Sequence, residues 1–199
     1  MERLLRVTVF VLCLLPFAWL VWAAGTARLG VDPAETIMHF TGEWSLRMLL
    51  LSLLVSPLRQ WLGWPPLLKL RRPIALYAFF YGAIHLLCFC HFYVGWEFAT
   101  LWEELLERPY ISAGFGAWLL MLPLVLTSTR GMQRRLRRNW TRLHRGVYLV
   151  ALLACCHLLW QARADVGEAL IYSVIAGLLL GWRLKRHLDR RSLPATSQA

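Results

Sequence analysis

The chain has 199 residues, 58% of them hydrophobic and 11 of them tryptophan, with a mean hydropathy of +0.50. That balance excludes an ordinary water-soluble domain, whose interior could not bury so much apolar surface. A net charge of +11 raises nucleic acid as a partner, but the basic residues alternate with apolar runs instead of forming one arm, which excludes that class too.

Six apolar runs predict six membrane helices at about residues 7–24, 44–57, 74–94, 111–127, 144–161 and 168–184, each near the length that crosses a ~30 Å hydrocarbon layer at ~1.5 Å per residue. The first opens on MERLLR and closes on AAGTA, the layout of a cleavable signal, yet the charge pattern works best if it is retained. The second is the shortest and is expected to close at Pro57. At its start, HFTGEW reads either as Thr41 or Gly42 capping the helix or as His39 bordering a quinone or a partner. After the third comes WEFATLWEELLERP, an interfacial amphipathic turn anchored by Trp96 and Trp102 or an acidic docking surface. Basic RGMQRRLRRNWTR at 130–142 leads into the fifth. The expected organisation is one helical domain over residues 1–190 with a polar tail at 191–199.

Eighteen of the 22 basic residues lie before the first run, at 59–72, at 130–145 and at 183–191. The alternate loops hold only Arg28, Arg108 and Arg163, together with Asp32, Glu35, Glu97, Glu103, Glu104, Glu107 and Asp165. This positive-inside pattern places both termini in the cytoplasm and the acidic loops outside. Cys13, Cys88, Cys90, Cys155 and Cys156 all fall inside predicted spans, where they read as small apolar packing residues.

Four of the six histidines lie in or at the ends of two helices: His85 and His91 in the third, His144 and His157 in the fifth. Ionisable groups at membrane depth are usually functional, and two facing imidazoles can hold one haem iron. Both helices run inside to outside. His85 lies near the midplane or slightly outside it, and His157 ~20 Å along its helix, so the two reach the outer half together. They form the expected axial pair of a haem b between the third and fifth helices. His144 lies near the inner surface, and its counterpart on the third helix, 14 residues before His85, is Arg71. A guanidinium is a poor metal ligand, so Arg71 and Arg72 also read as headgroup anchors or partners of haem propionates. His91 points ~120° away from His85 and lies ~9 Å further out, so it does not share that iron.

These histidines and this topology resemble the ferric reductase-like transmembrane domain shared by ferric reductases and NADPH oxidases. More closely, LGVDPAETIMHFTGEWSLRMLL at 29–50, RRPIALYAFFYGAIHLL at 71–87, RPYISAGFGAW at 108–118 and LTSTRGMQRRLRRNWTRLHRGVYLVALLACCHLLW at 126–160 resemble the MsrQ (YedZ) family. Its members are haem-binding membrane subunits of bacterial periplasmic methionine sulfoxide reductase systems. The resemblance implies haem-associated roles for His85, His144 and His157. It puts Arg71 where oxidase relatives carry an inner ligand, which leaves one or two haems open. It also implies a bound FMN, electrons from the quinol pool or a separate reductase, and a periplasmic molybdenum-cofactor partner, MsrP. No GxGxxG loop is present, so direct hydride uptake from NAD(P)H is not expected.

The expected class is therefore an all-α, six-helix electron-transfer subunit of the bacterial inner membrane, with the substrate-reducing site on its partner. The alternatives are a stand-alone ferric or cupric reductase fed by an external flavoprotein, and a histidine-lined proton or metal transporter.

Overall fold

The computed structural model describes residues 2–162 and 166–192, and every regular element among them is helical. Arg163, Asp165 and residues 193–199 lie outside the described residues. In chain order the helices are α1 (Glu2–Gly25), α2 (Pro33–Leu62), α3 (Leu68–Phe89), α4 (Phe98–Glu107), α5 (Pro109–Leu126), α6 (Arg130–Leu136), α7 (Arg138–His144), α8 (Gly146–Gln161) and α9 (Gly167–Ser192). A 3-10 turn, Pro65–Leu67, enters α3, and a π-helical turn, Cys90–Val94, leaves it.

Among the described residues, five helical stretches are long and apolar enough to cross a membrane: Arg3–Gly25, Pro65–Val94, Pro109–Leu126, Arg138–Gln161 and Gly167–Asp189. These match five of the six expected spans. The remaining one, α2, has ample length at 30 residues but carries Glu35, Glu43, Arg47 and Arg59, and it does not reach the same apolarity.

Two expectations for α2 change. Asp32 caps its start, accepting from the Glu35 backbone N–H at 3.0 Å, and Pro33 occupies the first turn. Thr41 and Gly42 therefore lie within the helix rather than at its cap. At the other end the helix continues through Pro57 to Leu62 and closes on Gly63 in the left-handed conformation, φ 60°. Pro57 has no N–H for the Leu53 carbonyl four residues back. Arg183 of α9 donates to that carbonyl instead, and its guanidinium lies 5.7 Å from the Tyr148 ring centre. A buried carbonyl left without a donor costs about 1–3 kcal/mol, so this arginine makes the proline tolerable within the helix.

In α1, which contains Pro16, a side chain enters the ladder at the next rung. The fully buried Tyr81 hydroxyl accepts from the Phe17 N–H at 3.1 Å and donates to the Cys13 carbonyl at 2.8 Å, entering the helical ladder between them. Around Tyr81 the core gathers Leu46, Leu49 and Leu53 of α2, Tyr77 and Ala78 of α3, Ala117 and Met121 of α5, and Val150 and Ala151 of α8. The most extensive helix contacts are α2 with α3 and α5 with α8, and α3 joins the two pairs through α5. α1 packs on α3 and α2, while α9 packs on α8 and α2.

Candidate functional site

Two cavities lie along the bundle between these helix pairs. The one towards α4 has a volume of about 550 Å³ and contains both His85 and His157. The other, towards α6 and α7, is about 440 Å³ and contains Arg71, Arg72, His144 and Arg145. Leu49 and Met121 line both and form their shared wall.

The α4-end cavity brings the expected axial pair together. The His85 and His157 rings have centroids 6.2 Å apart, with their planes at 79°. His85 Nδ1 is 2.9 Å from the Met38 carbonyl and His157 Nδ1 is 2.7 Å from the Tyr110 carbonyl. A carbonyl only accepts, so each Nδ1 carries the proton and each Nε2 keeps a lone pair free for a metal.

Both imidazoles are seated by the same device. The carbonyl that orients each ring belongs to the residue four before a glycine on the facing helix: Met38 and Gly42 on α2, Tyr110 and Gly114 on α5. A Cβ on Gly42 would stand 3.0 Å from the His85 ring, and one on Gly114 would stand 2.8 Å from His157 Nδ1. The glycines allow the rings to lie against the opposing helix within reach of its carbonyls. The three residues of the second set each follow those of the first by 72 positions, so α2–α3 and α5–α8 act as two copies of one helix-pair motif. The sequence carried this signal as a glycine 43 residues before each histidine, but composition and periodicity do not display it.

A haem fits this arrangement. Two imidazoles from different helices meet in one cavity with their Nδ1 atoms committed to carbonyls, so each would offer Nε2 to a haem iron. The cavity is lined mainly by apolar side chains, and the buried indole N–H of Trp118 in its wall has no acceptor among the described residues, leaving a donor available to a bound group.

The other cavity differs. His144 is the one imidazole in its lining; no second imidazole faces it, and Arg71 and Arg72 stand on the α3 side. The Thr127 hydroxyl, 2.6 Å from the Pro123 carbonyl, donates there, so it accepts from His144 Nε2–H at 3.0 Å. The ring stacks on Trp140 at 4.1 Å, and Trp140 in turn donates to the Thr127 carbonyl. A metal on His144 Nε2 therefore requires that hydrogen bond to be given up. Arg71, Arg72 and Arg145 have no carboxylate among the residues lining this cavity, which suits an anionic group.

The remaining singled-out residues fall elsewhere. His91 lies exposed on the π-helical turn, where its Nδ1 accepts from the Trp96 indole at 3.2 Å, and it lines neither cavity. His39 does line the α4-end cavity, 3.7 Å from Glu35. The α4 helix roofs that cavity with Leu101 and Leu105, while Phe98, Trp102 and Leu106 form an exposed apolar face. No three His, Cys, Asp or Glu side chains gather to hold a bare metal ion among the described residues.

The chain matches the family of ferric reductase-like transmembrane components over residues 41–155. Among curated relatives it is 45% identical to the protein-methionine-sulfoxide reductase heme-binding subunit MsrQ of Xanthomonas axonopodis pv. citri, over 89% of this chain and 81% of the relative. It is 44% identical to the subunit of that name from Xanthomonas oryzae pv. oryzae, and 45% identical to the one from Xanthomonas campestris pv. campestris, in each case over 91% of this chain and 83% of the relative. No solved structure matches it.

Proposed function

The chain belongs to the ferric reductase-like transmembrane family and, within it, to the MsrQ subunits, and from that membership we propose that it carries electrons across the bacterial inner membrane through haem b. The donor in this reading is the respiratory quinol pool. The acceptor is a periplasmic molybdenum-cofactor subunit, MsrP, which reduces methionine sulfoxide in oxidised proteins.

The observation that carries the reading is the His85–His157 pair, with ring centres 6.2 Å apart in one cavity and both Nδ1 atoms committed to backbone carbonyls. Bound haem supplies a one-electron iron couple there. His85 and His157 would hold and orient it, and the flanking carbonyls fix the tautomer of each ring. The positive-inside pattern supports six spans with α4 on the periplasmic side, so that this pair lies near electron exit. It supports α2 as the sixth span, with its charged residues facing neighbouring helices and the cavity. Residues 1–190 then form one haem domain, followed by the polar tail at 191–199.

His144, with Arg71 beside it, serves electron entry from the cytoplasmic side in this reading, either as a ligand of a second haem or by holding its propionates. The cationic lining of that cavity supports the second role directly. For FMN the support is the family resemblance alone.

The test is the visible spectrum of the purified protein, first oxidised and then reduced chemically or with a quinol. A reducible bis-imidazole haem b signal, followed by methionine sulfoxide reduction once the periplasmic subunit is added, is the expected result. A protein expressed with ample haem that shows no such signal overturns the reading.

A further inference from the structure

Helix α2 carries Glu35, His39, Glu43 and Arg47 at four-residue intervals, which stacks them on one face of a helix. Glu35 and His39 are 3.7 Å apart, and Glu43 and Arg47 are 2.8 Å apart. The first three line the cavity that holds His85 and His157. Exposure of the side chains falls from 60% at Glu35 to 49% at His39 and 28% at Glu43, so the series leads from the α4-end surface inward. Gly42, next to Glu43, touches the His85 ring level, which places Glu43 beside the axial pair in depth.

The fold does not need this series. The equivalent helix of the second pair, α5, has Ile111, Phe115 and Leu119 where α2 has His39, Glu43 and Arg47. It nevertheless seats its histidine by the same carbonyl-and-glycine device, and Ile111 and Phe115 line the same cavity. Glu35 has a glutamate counterpart in Glu107, whereas at the three deeper positions one copy of the motif is apolar and the other titratable, against the cost of ionisable groups in a membrane.

We propose that Glu35, His39 and Glu43 form a proton path from water at the α4 end to the axial pair, with Glu43 as the terminal acceptor. This rests on the reading of His85 and His157 as haem ligands. Each electron from the membrane reductant adds one negative charge to the site. One proton from surface water, relayed by exchange through His39, binds the Glu43 carboxylate and neutralises it. When the electron leaves for the outer acceptor, the proton returns by the same route, and no other bond is made or broken.

The charged and titratable surroundings of Glu43 are known. Arg47 pairs with it and also donates to Tyr172 of α9 at 2.7 Å, and Glu168 of α9 acts on Arg47 electrostatically. Across the cavity stand Tyr93, which follows α3, Arg108 at the start of α5 with its partner Glu104, and Tyr110 of α5, besides the two histidines.

Redox titration of the purified haem-loaded protein, followed optically between about pH 5 and 9, tests this. The wild-type midpoint potential of the bis-imidazole haem is expected to fall with pH by up to about 59 mV per unit, the value for one proton per electron. Glu43→Gln is expected to abolish most of that slope while keeping the bis-imidazole spectrum, and Glu43→Asp to retain it. His39→Ile is expected to keep the equilibrium slope but to slow re-equilibration after a pH jump by about tenfold or more. If Glu43→Gln fails to fold, Glu43→Phe with Arg47→Leu, which copies α5, takes its place with the same expected loss of slope. A pH-independent wild-type potential, or an unchanged slope in the Glu43 variants, overturns Glu43 as the acceptor, and an unchanged rate in His39→Ile overturns the route. Absence of a bis-imidazole spectrum in the wild type refutes the haem reading instead.

Discussion

Replacing Gly114 by alanine tests the seating of the axial pair with a single methyl group. Its Cβ would stand 2.8 Å from His157 Nδ1 and 3.0 Å from Cε1 and Cγ. Carbon contacts are comfortable at ~3.5–4.0 Å, so the ring must retreat by about 0.5–1 Å. A metal–nitrogen bond tolerates only about 0.2 Å, and the retreat also pulls Nδ1 from the Tyr110 carbonyl, which it now meets at 2.7 Å. Overpacking of this kind costs about 1–3 kcal/mol and the lost hydrogen bond about 1 kcal/mol. At ~1.4 kcal/mol per tenfold, haem affinity should fall by roughly 30- to 1,000-fold. The assay is haem stoichiometry and the reduced-minus-oxidised spectrum of the purified variant. Gly116→Ala serves as the control, because its added Cβ meets only Leu153 Cδ1 at 4.0 Å. Full haem content with an unshifted potential in Gly114→Ala would refute the argument that glycine is required for the seating.

Three further outcomes are expected. His85→Ala and His157→Ala should each remove the same haem, read by haem quantification; depletion of different haems would break the pairing. Arg183→Met should lower stability by about 1–3 kcal/mol, because the Leu53 carbonyl loses its donor. In a Pro57→Ala background the restored N–H supplies that carbonyl, so the cost should shrink by about 1 kcal/mol in a double-mutant cycle on thermal unfolding in detergent. Reporter fusions should place the 95–109 segment outside and the C-terminus inside; the reverse would invert the direction assigned to electron flow.

Much of the architecture was legible because a bilayer reads composition directly. Apolar length marks five of the helices, with ends that differ by up to nine residues from the observed ones, and the cost of imidazole in hydrocarbon singles out His85 and His157. The helix carrying Glu43 and Arg47 was drawn too short, since hydropathy penalises charges that tertiary partners accommodate. Pro57 was taken for an end because a local rule cannot foresee a donor from residue 183. HFTGEW reads locally as a cap at Thr41 or Gly42 or as a border at His39, whereas Gly42 lies within the helix and makes room for an imidazole arriving from another helix.

The sequence by itself determined that this chain forms membrane helices, which helices carry the histidines within them, and how the basic residues are distributed between the loops. These depend on transfer free energies and helical rise, properties that residues carry with them. Only the tertiary structure decided which nitrogen of each imidazole stays free, that two helix pairs repeat one seating device, that His144 is bound to Thr127 rather than facing a second imidazole, and that one repeat alone carries a titratable series. Those features come from close approach between segments dozens of residues apart, where a missing Cβ or a spare carbonyl matters only once another helix lies against it.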